Sequence, residues 1–246
     1  MKRLILILVI LLSTQTAYAA ISRSFDGTND ELDWGDVANT TTGNRTVCGW
    51  FKMTEDASAD AMVGRKNDLG AATLGYAISQ DSSDVVTFNV GDGTESVTST
   101  ATTDIDGAWY MVCGNWQANT EVTTIWVNGI QEDTDTGGGA VDSIGNAVEF
   151  AVGETGAEGD DATMAAGWIT TAANSWTAIE INEIRWHPEG RAASAGPGTT
   201  LLIVPAWLGA SPELDIANSL DATVSNSAAN TTDGPPIMIG ALGANY

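Results

Sequence analysis

Residues 109–134 read WYMVCGNWQANTEVTTIWVNGIQEDT, and they decide the fold. Trp109, Met111 and Cys113 alternate with Tyr110, Val112 and Gly114. Side chains on successive strand residues point to opposite faces, so apolar residues at both parities describe a strand covered on both sides. Gln117 to Thr120 supplies a turn, and Thr123 to Val127 is the next strand. Asn128-Gly129 is the strongest hairpin signal in the chain, because a type I′ turn requires positive φ at both central residues. A third strand continues through Ile130 and Glu132, giving a three-strand meander.

Outward from this meander, the same reading holds. Arg45 to Met53 is a strand in which Val47, Gly49, Phe51 and Met53 share one face, with Cys48 and Trp50 on the other. Ile21 to Trp34 reads as strand, turn, strand, anchored by Phe25, Leu32 and Trp34. Short strands are expected at Ala61–Arg65, Leu74–Ser79, Val85–Val90, Glu95–Thr100, Ala147–Val152 and Ile179–Trp186, separated by Gly, Asp, Ser or Asn. Long 3.6-residue periodicity is missing. The expected fold class is therefore all-β, a two-sheet antiparallel jelly-roll sandwich.

The chain opens with MKRLILILVILLSTQTAYAA. Lys2 and Arg3 precede the apolar run Leu4–Leu12, too short to span a bilayer, and Ala17-Tyr18-Ala19 supplies a small-x-small cleavage site. Residues 1–19 are thus expected to be a signal peptide, with a secreted, extracellular or cell-surface destination (or the periplasm) and no membrane insertion after its removal. Two cysteines, Cys48 and Cys113, then remain, allowing one intramolecular disulfide or two buried thiols. A bridge would be worth roughly 4 kcal/mol in the chain-entropy account.

With a net charge of −23, made more negative once Lys2 and Arg3 leave, the surface repels nucleic acid and anionic membranes. That charge serves solubility, and it also raises the question of cations. Pro188 and the Gly/Pro/Ala-rich stretch 191–198 mark a boundary, giving a domain over 20–195 and a mostly irregular C-terminal extension over 196–246.

The ordered set SFDGTNDELDW, TVCGWF (46–51), WYMVCGNW (109–116), IWVNG (125–129) and INEIRW (181–186) resembles laminin-G-like and pentraxin-like domains of the concanavalin A-like lectin/glucanase superfamily. The resemblance spans residues 22–195 and implies a disulfide between Cys48 and Cys113. WLGASPELDIANSLDATVSN (207–226) resembles the segment that usually precedes the Phe-Asp-Gly strand in these families, and since jelly-roll termini lie close together, residues 200–226 are expected to return and pair beside the opening strand.

Chemistry has little raw material. The single histidine, His187, leaves a catalytic triad and a multi-histidine metal centre almost no raw material, and it reads as a solvated loop residue. No phosphate-cradling glycine motif occurs. The E-x-D-x-x-E strand of laminarinase-type glycosidases has its nearest counterpart at Glu180-Ile181-Asn182-Glu183-Ile184-Arg185, which fails at Asn182 and Arg185. No catalytic residue is therefore expected.

Calcium is the more plausible cofactor, since hard cations gather carboxylate and carbonyl oxygens on loops. The candidate ligands are Glu154, Glu158, Asp160 and Asp161, where the resemblance places a calcium loop, and Asp26 with Asp30. Asp133 with Asp135 is a third acidic pair, but Ile144 stands where an EF-hand needs its distal glutamate. Among nine tryptophans, Trp50, Trp109 and Trp126 are assigned to the core. Trp168 and Trp176, in a stretch read as a polar loop, are the candidates for stacking on sugar. The functional expectation is a non-catalytic glycan-binding or adhesion module, with a glycan or glycoprotein surface as partner. The alternatives are a structural, self-associating component of a cell surface, fibre or virion, and a polysaccharide-active glycoside hydrolase.

Overall fold

A computed structural model describes residues 22–26, 30–36, 43–54, 60–66, 74–81, 83–137, 141, 144–145, 150–153, 164–186, 201–205, 223–225 and 229–231. Its strands are β1 (Ser22–Phe25), β2 (Glu31–Asp33), β3 (Arg45–Met53), β4 (Asp60–Lys66), β5 (Gly75–Gln80), β6 (Val85–Gly91), β7 (Ser96–Asp104) and β8 (Tyr110–Gln117). They continue with β9 (Val122–Val127), β10 (Ile130–Thr136), β11 (Ala151–Val152), β12 (Met164–Ala172), β13 (Leu201–Pro205), β14 (Thr223–Ser225) and β15 (Ala229–Thr231). Among the described residues one helix, α1 (Ala178–Trp186), stands between β12 and β13.

The strands form two antiparallel sheets. One follows the order β10-β9-β8-β3-β12-β1-β15, with β13 also on β12; the other follows β14-β2-β11-β4-β5-β6-β7. This is the jelly-roll sandwich expected from the alternation. The meander occupies one edge of the larger sheet, and Asn128 and Gly129 have φ of 52° and 80°, as the type I′ turn requires.

Each strand's alternation sorts its side chains between two apolar layers. Val47, Phe51 and Met53 of β3 join Phe25, Leu32, Tyr76, Phe88, Val112 and Trp116 between the sheets. Cys48 and Trp50, on the other face, join Met111, Cys113, Ala172, Trp176, Ile181 and Ile184 under α1. Fully burying one such large side chain stabilises the fold by about 1.5–3 kcal/mol. Glycines on the inner face make room for rings. A Cβ on Gly114 would lie 2.1 Å from the Phe88 ring, and one on Gly49 would lie 2.4 Å from the Phe51 ring. Cys48 and Cys113 stand opposite in the β3–β8 register and form a disulfide.

Two elements differ from the sequence reading. Residues 179–186, expected as a strand, are helical. Ile181 and Ile184 are buried at helical spacing while Ile179 is 79% exposed, so the apparent alternation of Ile179 with Ile181 ends at Ile184. Thr177 caps the helix: its N–H and hydroxyl donate to the Glu180 carboxylate at 2.8 and 2.9 Å, and the Glu180 N–H donates to the Thr177 hydroxyl at 3.4 Å.

The second difference is β12, part of the stretch read as a loop. Its Ala, Gly and Thr content hides a strand paired with β3, β1 and β13. Beyond it, β13 pairs β12, β14 pairs β2 and β15 pairs β1. Residues 147–149 and 187–200 lie outside the described set, and His187 with them.

Candidate functional site

Asp26 and Asp30, two of the acids expected to hold a cation, follow β1 and precede β2 at one end of the sandwich. Phe25 of β1, Met164 of β12 and Met53 of β3 stand in register there. A bridge from Met53 to Asp106, and the Gly107 N–H donating to the Met53 carbonyl at 3.0 Å, bring in the β7–β8 turn. Asp30, just before β2, is 3% exposed; its Oδ2 accepts the Asp26 N–H at 3.1 Å, while its buried Oδ1 has no donor among the described residues.

Gly153, with φ of 95°, begins the acidic stretch 153–161 against this carboxylate's own backbone. A Cβ there would lie 2.5 Å from the Asp30 carbonyl oxygen and 2.8 Å from the Phe25 ring. Gly153, which precedes Glu154 in sequence, therefore stands beside Asp30. Burial raises the Asp30 pKa above the ordinary carboxylate value, the Asp26 N–H opposes this, and the Asp26 charge adds to it.

Calcium wants six to eight oxygens. Among the described residues no three acids stand together as a metal site, so Asp26 and Asp30 alone do not fit the ion. Glu154, Glu158, Asp160 and Asp161 lie outside the described residues. Asp133 is engaged elsewhere: its carboxylate accepts the Thr100 N–H of β7 at 2.9 Å.

The tryptophan expectations need correction. Trp176 is 3% exposed, packed into the layer beneath α1, so its indole face is not offered to a sugar. Its backbone is pinned as well: Asn115 Nδ2 donates to the Trp176 carbonyl at 2.9 Å, and the Trp176 N–H donates to the Thr46 hydroxyl at 3.1 Å. The outer sheet face needs an apolar cover, and Trp176 with α1 provides it. Trp168 lies within β12, opposite Pro205 of β13, and not in a loop. Trp50 is buried as expected, whereas Trp109 and Trp126 are half-buried against the outer layer.

The stretch compared with a glycosidase strand has structural tasks on α1. Glu180 caps the helix. Asn182 Nδ2 donates to the Gly129 carbonyl at 3.3 Å and Arg185 Nη1 donates to the Asn128 carbonyl, clamping the hairpin turn. Placed on a helix, Glu180 and Glu183 do not share one face of a strand as the glycosidase motif requires.

Sequence reasoning missed two further groups. Glu132 bonds across the sandwich edge, and Arg45 and Arg65 are each 1% exposed. For Arg45 the signal was present, since it continues the inward parity of Val47, Phe51 and Met53 on β3.

Comparison with known proteins accords with this architecture. Residues 26–177 match laminin G family 3 of the concanavalin A-like lectin/glucanases superfamily. That is more than half of the chain, which belongs to this family.

A solved heptameric SAP-like pentraxin from Limulus polyphemus is similar at 14% identity and a TM-score of 0.52, over 69% of this chain and 83% of that one. A Bacteroides ovatus protein, described as a candidate carbohydrate-binding protein, is similar at 14% identity and a TM-score of 0.65. There the match covers 90% of this chain but only 62% of that one. The NanB sialidase from Streptococcus pneumoniae is similar at 14% identity and a TM-score of 0.50, over 67% of this chain and 27% of that one. These likenesses concern the fold. Among curated proteins, no sequence matches this one.

Proposed function

We propose that this protein is a secreted, non-catalytic glycan-binding module whose ligand is held at the acidic end of the sandwich with the help of calcium. Membership of the lectin/glucanase superfamily over 26–177 carries the reading. Within that superfamily a binding module is favoured over a hydrolase, because the acids nearest a glycosidase motif cap and flank a helix.

The calcium element rests on Asp30. Its buried Oδ1 has no donor among the described residues, Gly153 at the head of the 153–161 stretch stands against the Asp30 backbone carbonyl, and Glu154, Glu158, Asp160 and Asp161 would complete the ligand set together with Asp26 and Asp30. Calcium bound there supplies a positive Lewis-acidic point able to accept paired sugar hydroxyls. The protein's part is to hold the carboxylates and fix the loop. Secretion rests on the signal-like residues 1–19.

A second reading, self-association, draws on Ile130 and Ile179, exposed at 68% and 79% on the two elements that Asn182 joins. Affinity electrophoresis in gels cast with soluble polysaccharides tests the first reading. Retardation without release of reducing ends supports a binding module; release of reducing ends overturns it.

A further inference from the structure

The end of the interior reached by the start of β3 is charged. Arg45 continues the inward face of Val47, Phe51 and Met53, and it stands beside Trp116 in the β3–β8 register. Arg65 and Tyr76 face each other across β4 and β5. Arg45 and Arg65 are 1% exposed and Tyr76 is fully buried. A chain with 32 acids and nine lysines and arginines has thus placed two of its few cations between its sheets.

The two arginines there differ in their pairing. Arg65 Nη2 meets the Asp36 carboxylate at 2.6 Å. The guanidinium of Arg45 lies over the Tyr76 ring, 5.6 Å from its centroid, and its Nε and Nη1 are buried with no acceptor among the described residues. Cation–π contact offsets only part of the cost of burying an unpaired ion. Tyr76 cannot serve as the counter-charge. Burial raises its pKa, against the opposing influence of Arg45, Arg65 and a hydrogen bond with Thr171, so it stays a neutral phenol. Among the described residues no carboxylate pairs with the Arg45 guanidinium, which is left as a buried cation.

We propose that Arg45 is the anchor of a buried anion site, within the Arg45–Arg65–Tyr76 end of the sandwich, that takes a monovalent halide, chloride in an extracellular medium. A buried orphan donor asks for either a water or an ion. Water satisfies hydrogen bonds but not charge, and the neighbouring Arg65 makes the charge the larger problem. The fully buried setting favours a small, weakly hydrated monovalent ion over sulfate. Burial, reinforced by the like charge of Arg65, pushes the Arg45 pKa down, the stress that a bound anion relieves.

The test compares melting temperatures in sodium chloride and sodium gluconate at equal ionic strength, at about 0.15 M. Chloride is expected to raise the midpoint saturably, as binding to the folded state alone requires. Arg45→Met should abolish that difference. A bromide-soaked crystal gives a readout that does not need the variant to fold: an anomalous peak within hydrogen-bond distance of Arg45 Nε and Nη1 supports the site. Equal melting temperatures in the two salts overturn it, as does a water at that position with no anomalous signal.

Discussion

Glu132 of β10 accepts the backbone N–H of Thr103 on β7 at 2.8 Å, so a carboxylate from one sheet's edge satisfies the open edge of the other. The same carboxylate takes the Thr102 N–H at 2.7 Å, and Asp133 beside it takes the Thr100 N–H at 2.9 Å. Unpaired edge N–H groups template association with other chains. Here two acids close that edge.

This lock has an acid signature. Burial raises the Glu132 pKa, but hydrogen bonds from Thr103 and Thr102 outweigh it and the net shift is downward. A folded pKa below the unfolded one contributes stability above the ordinary glutamate pKa, and that stability is lost as pH falls through the depressed value. Glu132→Gln is expected to cost on the order of 1 kcal/mol at neutral pH, given partial solvent screening. It should also flatten the acid limb of a melting-temperature profile; an unchanged limb contradicts the lock.

Gly114 tests the inner packing. The Phe88 ring occupies the space a side chain would need. Gly114→Ala should destabilise by about 1–3 kcal/mol in urea unfolding, the usual cost of overpacking. Gly93, whose Cβ would meet nothing within 4 Å but whose φ is positive, provides a contrasting site where any cost is backbone strain alone.

The C-terminal strands predict an integrated unit. β14 extends one sheet and β15 the other, each beside a strand from the first quarter of the chain. Ending the chain at residue 198 should therefore lower the melting temperature by several degrees, since β13, β14 and β15 are lost together. An unchanged midpoint would show that residues 20–195 stand alone.

Asp30 predicts a coupling between pH and calcium. Its raised pKa means the ionised form costs stability at neutral pH, a cost relieved as pH falls through that value. A bound divalent cation reverses the sign by favouring the carboxylate. Calcium should raise the melting temperature at pH 7, more weakly at pH values near the raised Asp30 pKa, and not at all in Asp30→Asn. A calcium response intact in Asp30→Asn contradicts the assignment.

Much of this was legible from residue order. The alternation in 45–53 and 109–127 gave both faces of the central strands, and Asn128-Gly129 gave the hairpin, because these depend on local parity and backbone sterics. β12 was not legible: a strand buried by neighbours on both sides can be built from Ala, Gly and Thr, which carry no apolar alternation. α1 was misread because nine residues with isoleucines at 179, 181 and 184 satisfy either period at first, although Thr177-x-x-Glu180 held the capping signature. Trp176 was misplaced for the same reason. The polar residues around it cap a helix and bind backbone; they do not expose the indole.

Binding to a glycan array in calcium, repeated in a chelator, tests the central claim most directly. The account predicts retention on a defined set of glycans that is lost with the chelator and reduced in Asp30→Asn. No retention on any glycan, by a folded protein that forms discrete oligomers instead, would contradict it.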